Sequence, residues 1–257
     1  MKTIDQVFAT NKKIGLMTHV VAGYPDLAAT ADLIRLMADS GVDLVEIQIP
    51  FSDPLADGPT IMRASQHALD NGITTNDCFR LAEDMANKVD IPLLFMTYGN
   101  IPFAMGMERF MRRSAGAGIQ GLIIPDLPFD EETDDHLTLA HKAGLKVIQV
   151  TSPSTNKKRL EKVCSIAEGF IYSTLKVGIT GAGTDIDDQG IAFLNRIRSL
   201  TDLPIAAGFG ISSPEHVEKL MGKTDMAVIG SHVINLYEKK GPQGVARFLE
   251  QCRHVGS

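Results

Sequence analysis

The chain has 257 residues, 44% of them apolar, with a formal charge of −6 and three cysteines. That length supports one large core, and single α/β barrels commonly have about 250 residues. The acidic balance argues against a nucleic-acid partner, which calls for a basic patch or stripe.

Cys78, Cys164 and Cys252 are odd in number, widely spaced and outside any Cys/His ligand pattern. They read as reduced thiols of a cytoplasmic protein, with no metal site. The first residues carry neither a signal-like apolar core nor a span of about 20 apolar residues, so no membrane segment is expected. No linker, low-complexity tract or short repeat cuts the sequence, and residues 1–257 are expected to form a single domain.

In chain order, apolar β-rich runs lie at Ile14–Val21, Val42–Ile49, Pro92–Tyr98, Gly121–Pro125, Lys146–Thr151, Gly169–Thr174, Pro204–Ala207 and Asp225–Ile229. Between them, apolar residues at three- and four-residue spacing predict helices at Leu27–Ser40, Thr75–Lys88, Met107–Ala117, Glu131–Ala143 and Asn156–Ile166. Asp26, Asn156 and Ser213 sit at helix N-cap positions, the last before Pro214, and Gly41, Gly118 and Gly144 suit helix ends. Alternating strands and helices imply parallel pairing, and eight such units favour a closed (β/α)8 TIM barrel. The rival is an open doubly wound sheet. The barrel is preferred because polar and glycine-rich motifs follow strand after strand, as when all βα loops meet at one face.

In the second run the side chains alternate, so Glu46 and Gln48 point one way while Val45, Ile47 and Ile49 point the other. A carboxylate inside a buried strand costs several kcal/mol unless it is partnered or used, so Glu46 is either satisfied by a structural neighbour or catalytic. A second carboxylate, Asp57, follows in the loop, where it could equally be a turn residue before Gly58 and Pro59. After the sixth, seventh and eighth runs come Gly178-Ile179-Thr180-Gly181-Ala182-Gly183, Gly208-Phe209-Gly210-Ile211 and Gly230-Ser231. Any one glycine could serve only a tight turn. Three such loops on one barrel face favour a phosphate cradle, in which backbone N–H groups approach the anion.

The segment from Pro50 to Pro59 resembles the signature of the tryptophan synthase alpha subunit family, Glu-Leu-Gly-x-Pro-Phe-Ser-Asp-Pro-x-Ala-Asp-Gly-Pro. Gly23-Tyr24-Pro25, Tyr98-Gly99-Asn100, Asp126-Leu127-Pro128, Gly178-Ile179-Thr180-Gly181, Gly208-Phe209-Gly210-Ile211 and Gly230-Ser231 fall in that family's order, so the resemblance spans the chain. It implies an aldolase-type carbon–carbon lyase of tryptophan biosynthesis that cleaves indole-3-glycerol phosphate to indole and glyceraldehyde 3-phosphate. By the same resemblance Glu46 is the acid–base residue, Asp57 accepts the indole N–H bond, and Tyr172 is the active-site tyrosine. Tyr98 and Asn100 match positions after the third strand, with Tyr98 lining the indole pocket. Asp126 belongs to the substrate region as an organiser of loops, and Thr180 helps hold Asp57 when the site closes. Gly181, Gly210, Gly230 and Ser231 are the implied phosphate ligands. Pro50, Ser52, Asp53 and Pro54 lie in the loop implied to contact a beta subunit, in an alpha2-beta2 assembly. No cofactor is expected in this chain; pyridoxal phosphate is expected in the beta partner.

The pattern departs from the family at His19, which replaces an aromatic residue flanking the indole, and at Gln48, which replaces glycine on the face of Glu46. Both are counted among the substrate-binding candidates. Leu175 and Lys176 replace a serine and a variable residue, and His232 follows the phosphate serine; Lys176 and His232 could add charge to the phosphate site or face solvent. These changes keep two further readings open: a stand-alone lyase of a related phosphorylated substrate, and a weakly catalytic module that activates a beta partner. Retention of Glu46, Asp57 and Tyr172 argues against the last.

Overall fold

The apolar runs become the wall of a barrel. The computed structural model describes residues 1–10, 12–127, 136–175, 188–208 and 210–256. Its strands are β1 (Gly15–Val21), β2 (Leu44–Gln48), β3 (Leu93–Met96), β4 (Gly121–Ile123), β5 (Lys146–Val147), β6 (Gln149–Thr151), β7 (Ile171–Thr174), β8 (Ile205–Gly208) and β9 (Met226–Ile229). All pairs are parallel, in the order β5-β4-β3-β2-β1-β9-β8-β7-β6. The two ends of that order are consecutive in the chain. The expected fifth strand, Lys146–Thr151, is thus divided at Ile148: its first part pairs with β4 and its second with β7. Ile148 N still donates to Leu122 O (2.8 Å), so one extended run changes neighbours and closes the (β/α)8 barrel.

Period-2 alternation sorts the strand residues into two cores. Val45, Ile47, Leu93 and Phe95 pack outward against the helices, whereas Leu44, Leu94, Met96, Ile123, Ala206, Met226 and Val228 fill the interior. Each large apolar side chain buried this way contributes about 1.5–3 kcal/mol. A short helix, Ile4–Phe8, plugs the floor with Ile4 and Val7, and Phe8 lies 5.4 Å from Phe170 between ring centroids. It was not anticipated, because five residues hold barely one helical repeat. Its Thr3/Gln6 capping box was the available signal.

The anticipated helices at Leu27–Asp39, Thr75–Ala86, Met107–Gly116 and Lys157–Ile166 form within two residues of their expected ends, and His136–Lys142 lies inside the fourth. Asp26 and Asn156 cap through their side chains, accepting from Ala29 N (2.7 Å) and Arg159 N (2.9 Å). Ser213 occupies the N-cap position without a side-chain cap bond; its hydroxyl instead serves Glu215, whose carboxyl is held below the usual range chiefly by that bond. Among the described residues no helix is long and apolar enough to cross a membrane.

Candidate active site

The register that pairs β1 with β2 sets His19 directly beside Glu46. Both side chains point into the upper barrel, and both residues are buried, at 4% exposure. His19 Nδ1 lies 3.4 Å from Glu46 Oε2. Burial opposes protonation of this imidazole most strongly, but Glu46, Asp57 and Gln48 together outweigh it, and the pKa of His19 is raised. Among the described residues His19 Nε2 has no partner in hydrogen-bonding geometry.

Two residues further along β2, Gln48 is fully buried and its Nε2 donates to Asp57 Oδ2 (2.7 Å). Tyr98 donates its hydroxyl to the same oxygen (2.9 Å) and accepts from Ala56 N (3.1 Å), which ties the loop back to the end of β3. Phe51 stacks on Tyr98 with centroids 5.2 Å apart. Burial raises the pKa of Asp57, against the opposing effects of His19, Gln48 and Tyr98. Tyr98 is likewise raised by burial and then by Asp57.

These groups border a cavity of about 380 Å³, within the usual range for small-molecule sites of roughly 300–1,000 Å³. His19, Glu46, Asp57 and Tyr172 reach it, between apolar walls from Met96, Ile123, Val150 and Val228. These wall residues were not singled out in the sequence, although the inward phase of each strand marks them. Tyr172 has a pKa well above that of an ordinary phenol, through burial and then Glu46 and Asp57. It makes no hydrogen bond to Glu46 among the described residues, and an added Cβ at Gly208 would sit 3.4 Å from its hydroxyl and 3.0 Å from Val228 Cβ. Gly208 is therefore needed for close approach.

Gly210, Gly230 and Ser231 also line the cavity. Gly210 has φ of 87°, a conformation that disfavours any side chain. Ser231 opens the helix Ser231–Val255, whose first N–H groups lack intrahelical partners and therefore favour an anion.

Other candidates fall elsewhere. Gln48 and Tyr98 stand behind Asp57 rather than on the cavity wall, and Ser65, 3.5 Å from Gln48 Nε2, joins that group without having been anticipated. Asp126 Oδ1 accepts from Gly99 N (2.9 Å), bracing one loop against another, and Asn100 is exposed at a separate cleft. Leu175 packs among the outer helices. His232 turns away from the rim to pack on Phe248, at 4.7 Å between centroids, and its pKa is lowered by burial and then by nearby cations. Pro50 and Pro54 are buried, Ser52 and Asp53 exposed. Thr180 and Gly181, with Lys176, Gly178 and Gly183, lie outside the described residues, as does Phe209.

Fold and mouth together define a (β/α)8 barrel with two carboxylates over an apolar cavity and a glycine- and serine-lined rim at a helix N-terminus. The family model described as tryptophan synthase alpha chain matches residues 6–256, and the chain belongs to that family. The tryptophan synthase alpha chain of Syntrophotalea carbinolica is 45% identical, over 94% of this chain and 95% of its own length. That of Desulfotalea psychrophila is 43% identical, over 98% and 100%. Among solved structures, Mycobacterium tuberculosis tryptophan synthase superposes with a TM-score of 0.90 at 28% identity, over 98% of this chain and 96% of the other. A Pyrococcus furiosus alpha-subunit gives 0.84 at 27%, over 94% and 97%.

Proposed function

We propose that this chain, folded as one domain, cleaves indole-3-glycerol phosphate to indole and glyceraldehyde 3-phosphate in tryptophan biosynthesis. The observation that carries this reading is that Glu46 and Asp57 border one apolar cavity together with Gly210, Gly230 and Ser231. The reaction is a retro-aldol cleavage. A proton is added at indole C3, and the ring nitrogen takes up the positive charge. The hydroxyl on the attached carbon then loses its proton, the carbon–carbon bond breaks with its electron pair returning to the ring, and the aldehyde forms. Glu46 can supply the first proton and accept the second, help worth roughly 10²–10⁴ in rate. Asp57 accepts the ring N–H bond and stabilises the developing charge. Tyr172 packs against the ligand beside Glu46, and Gly210, Gly230, Ser231 and Gly181 are assigned to the phosphate.

The chemistry needs no cofactor in this chain. The partner is the tryptophan synthase beta subunit, which carries the pyridoxal phosphate, in an alpha2-beta2 assembly. Two large apolar side chains support a docking face around Pro50, Ser52, Asp53 and Pro54: Leu55 is 85% exposed in that loop, and Phe103 is 81% exposed after β3. Three buried cysteines without disulfides agree with a cytoplasmic setting.

The test is indole formation from indole-3-glycerol phosphate by the purified chain, with and without a matched beta subunit. Absence of indole under both conditions overturns the reading. One observation favours a related substrate instead: His19 puts at the cavity a buried nitrogen without a hydrogen-bond partner among the described residues, where the family has an aromatic residue. Faster turnover of a phosphorylated analogue bearing a polar ring substituent would select that alternative.

A further inference from the structure

Where the family pattern has glycine, this chain places a fully buried amide against one of its two mouth carboxylates. Gln48 Nε2 and the Tyr98 hydroxyl converge on Asp57 Oδ2 at 2.7 and 2.9 Å, and Asp57 N donates to Pro54 O at 3.0 Å. Asp57 is 5% exposed. Its Oδ1 has no donor among the described residues, and Asp57 borders the cavity.

We propose that Gln48 is a positioning residue: with Tyr98 it clamps one oxygen of Asp57 and leaves the other for the ligand, so that Asp57 is set before substrate arrives. The physical gain is preorganisation. A carboxylate already held in its working rotamer loses little further freedom on binding. The donors also favour the ionised form needed to accept an N–H bond, against the burial that disfavours it. The other titratable groups around Asp57 are His19 on β1, Glu46 on β2, Tyr98 after β3 and Tyr172 on β7. The rival explanation is that Gln48 merely fills space.

This inference rests on the role given to Asp57 above, and its test separates the two. Gln48→Met keeps length and burial but removes the N–H donor. Two quantities are read: the titration of the Asp57 carboxyl by carbon-detected NMR in the unliganded chain, and kcat and KM for indole formation. The expected result is an Asp57 titration moved to higher pH and a kcat lowered about ten- to hundredfold, the range for a hydrogen bond to a charged group, with KM changed less than about threefold. Gln48→Asn, whose shorter amide does not reach Asp57, should reproduce both effects, and it serves alone if the methionine variant does not fold. An unmoved titration and unmoved kcat, with Asp57→Asn inactive, leave Asp57 catalytic and overturn the role of Gln48. A moved titration with unchanged kcat overturns the catalytic part of the Gln48 proposal, and Asp57 loses its own role only if Asp57→Asn also keeps its kcat.

Discussion

Asp43 and Glu46 stand three residues apart on one side of the barrel, and the protein treats them differently. At the floor, Asp43 accepts from Leu16 N (2.9 Å) and Arg253 Nη1 (3.2 Å) and is paired with Lys12. At the mouth, the side chain of Glu46 has one ion-pair contact among the described residues, His19 at 3.4 Å. The contrast extends to their neighbours, since His19 Nε2 and Gln48 Oε1 are buried there without partners in hydrogen-bonding geometry among the described residues. A carboxylate saturated by its own protein has little capacity left for a ligand. One left under-supplied in a cavity pays a desolvation cost that binding can recover. The donor count around each carboxylate thus distinguishes a floor that holds the barrel together from a mouth built for chemistry.

The sharpest way to break that distinction is to neutralise each carboxylate in turn. Glu46→Gln should lower turnover at least about a hundredfold while leaving thermal unfolding nearly unchanged. Asp57→Asn should be almost as damaging in the same steady-state assay. It should also unfold no more easily at neutral pH, because a carboxyl whose pKa is raised in the folded state opposes folding once ionised. Asp43→Asn should do the reverse, losing about 1.5–3 kcal/mol in urea unfolding with kcat within about threefold of the parent. A fall in turnover without loss of stability would place Asp43 among the chemical groups.

Smaller effects sharpen the mouth itself. Ser231→Asp puts a negative charge where the helix N-terminus tolerates one, so the fold should persist. The KM for the phosphorylated substrate should rise about tenfold, while inhibition by a dephospho analogue stays unchanged. Equal weakening of both ligands would argue against phosphate at that rim.

The smallest effect is in stability against pH. Because the pKa of His19 is raised in the folded chain, its pair with Glu46 contributes fully below about pH 6.5, the ordinary value for histidine, and fades as pH rises through the raised value. Comparison with His19→Phe by chemical unfolding across that range should show the fade, and a flat difference would mean that His19 stays neutral.

Much of this architecture is legible in the residues. Strand runs such as Val42–Ile49 combine β-branched content with alternation, and that alternation already puts Glu46 and Gln48 on one face. The division of Lys146–Thr151 is not legible, because it depends on which neighbour each half pairs with and not on the composition of the run. The partner of Asp57 was hidden for a similar reason. A glutamine in place of glycine reads as an obstruction in the pocket. Only the fold of the Pro50–Pro59 segment brings Asp57 back over Gln48, so that the amide becomes a support and a cavity of about 380 Å³ remains. His232 errs in the opposite direction: adjacency to Ser231 suggests the phosphate, yet the helical turn between them directs the imidazole onto Phe248.

On the proposed function, the mouth holds its ligand between the two carboxylates, with the phosphate at Gly210, Gly230 and Ser231. A crystal structure of the chain with a non-cleavable indole-alkyl phosphate tests it most directly. The expected result is the ring N–H within about 3 Å of Asp57, the C3 side facing Glu46, and phosphate oxygens on the N–H groups around Gly210, Gly230 and Ser231. A phosphate bound elsewhere, or a ring that touches neither carboxylate, would contradict it.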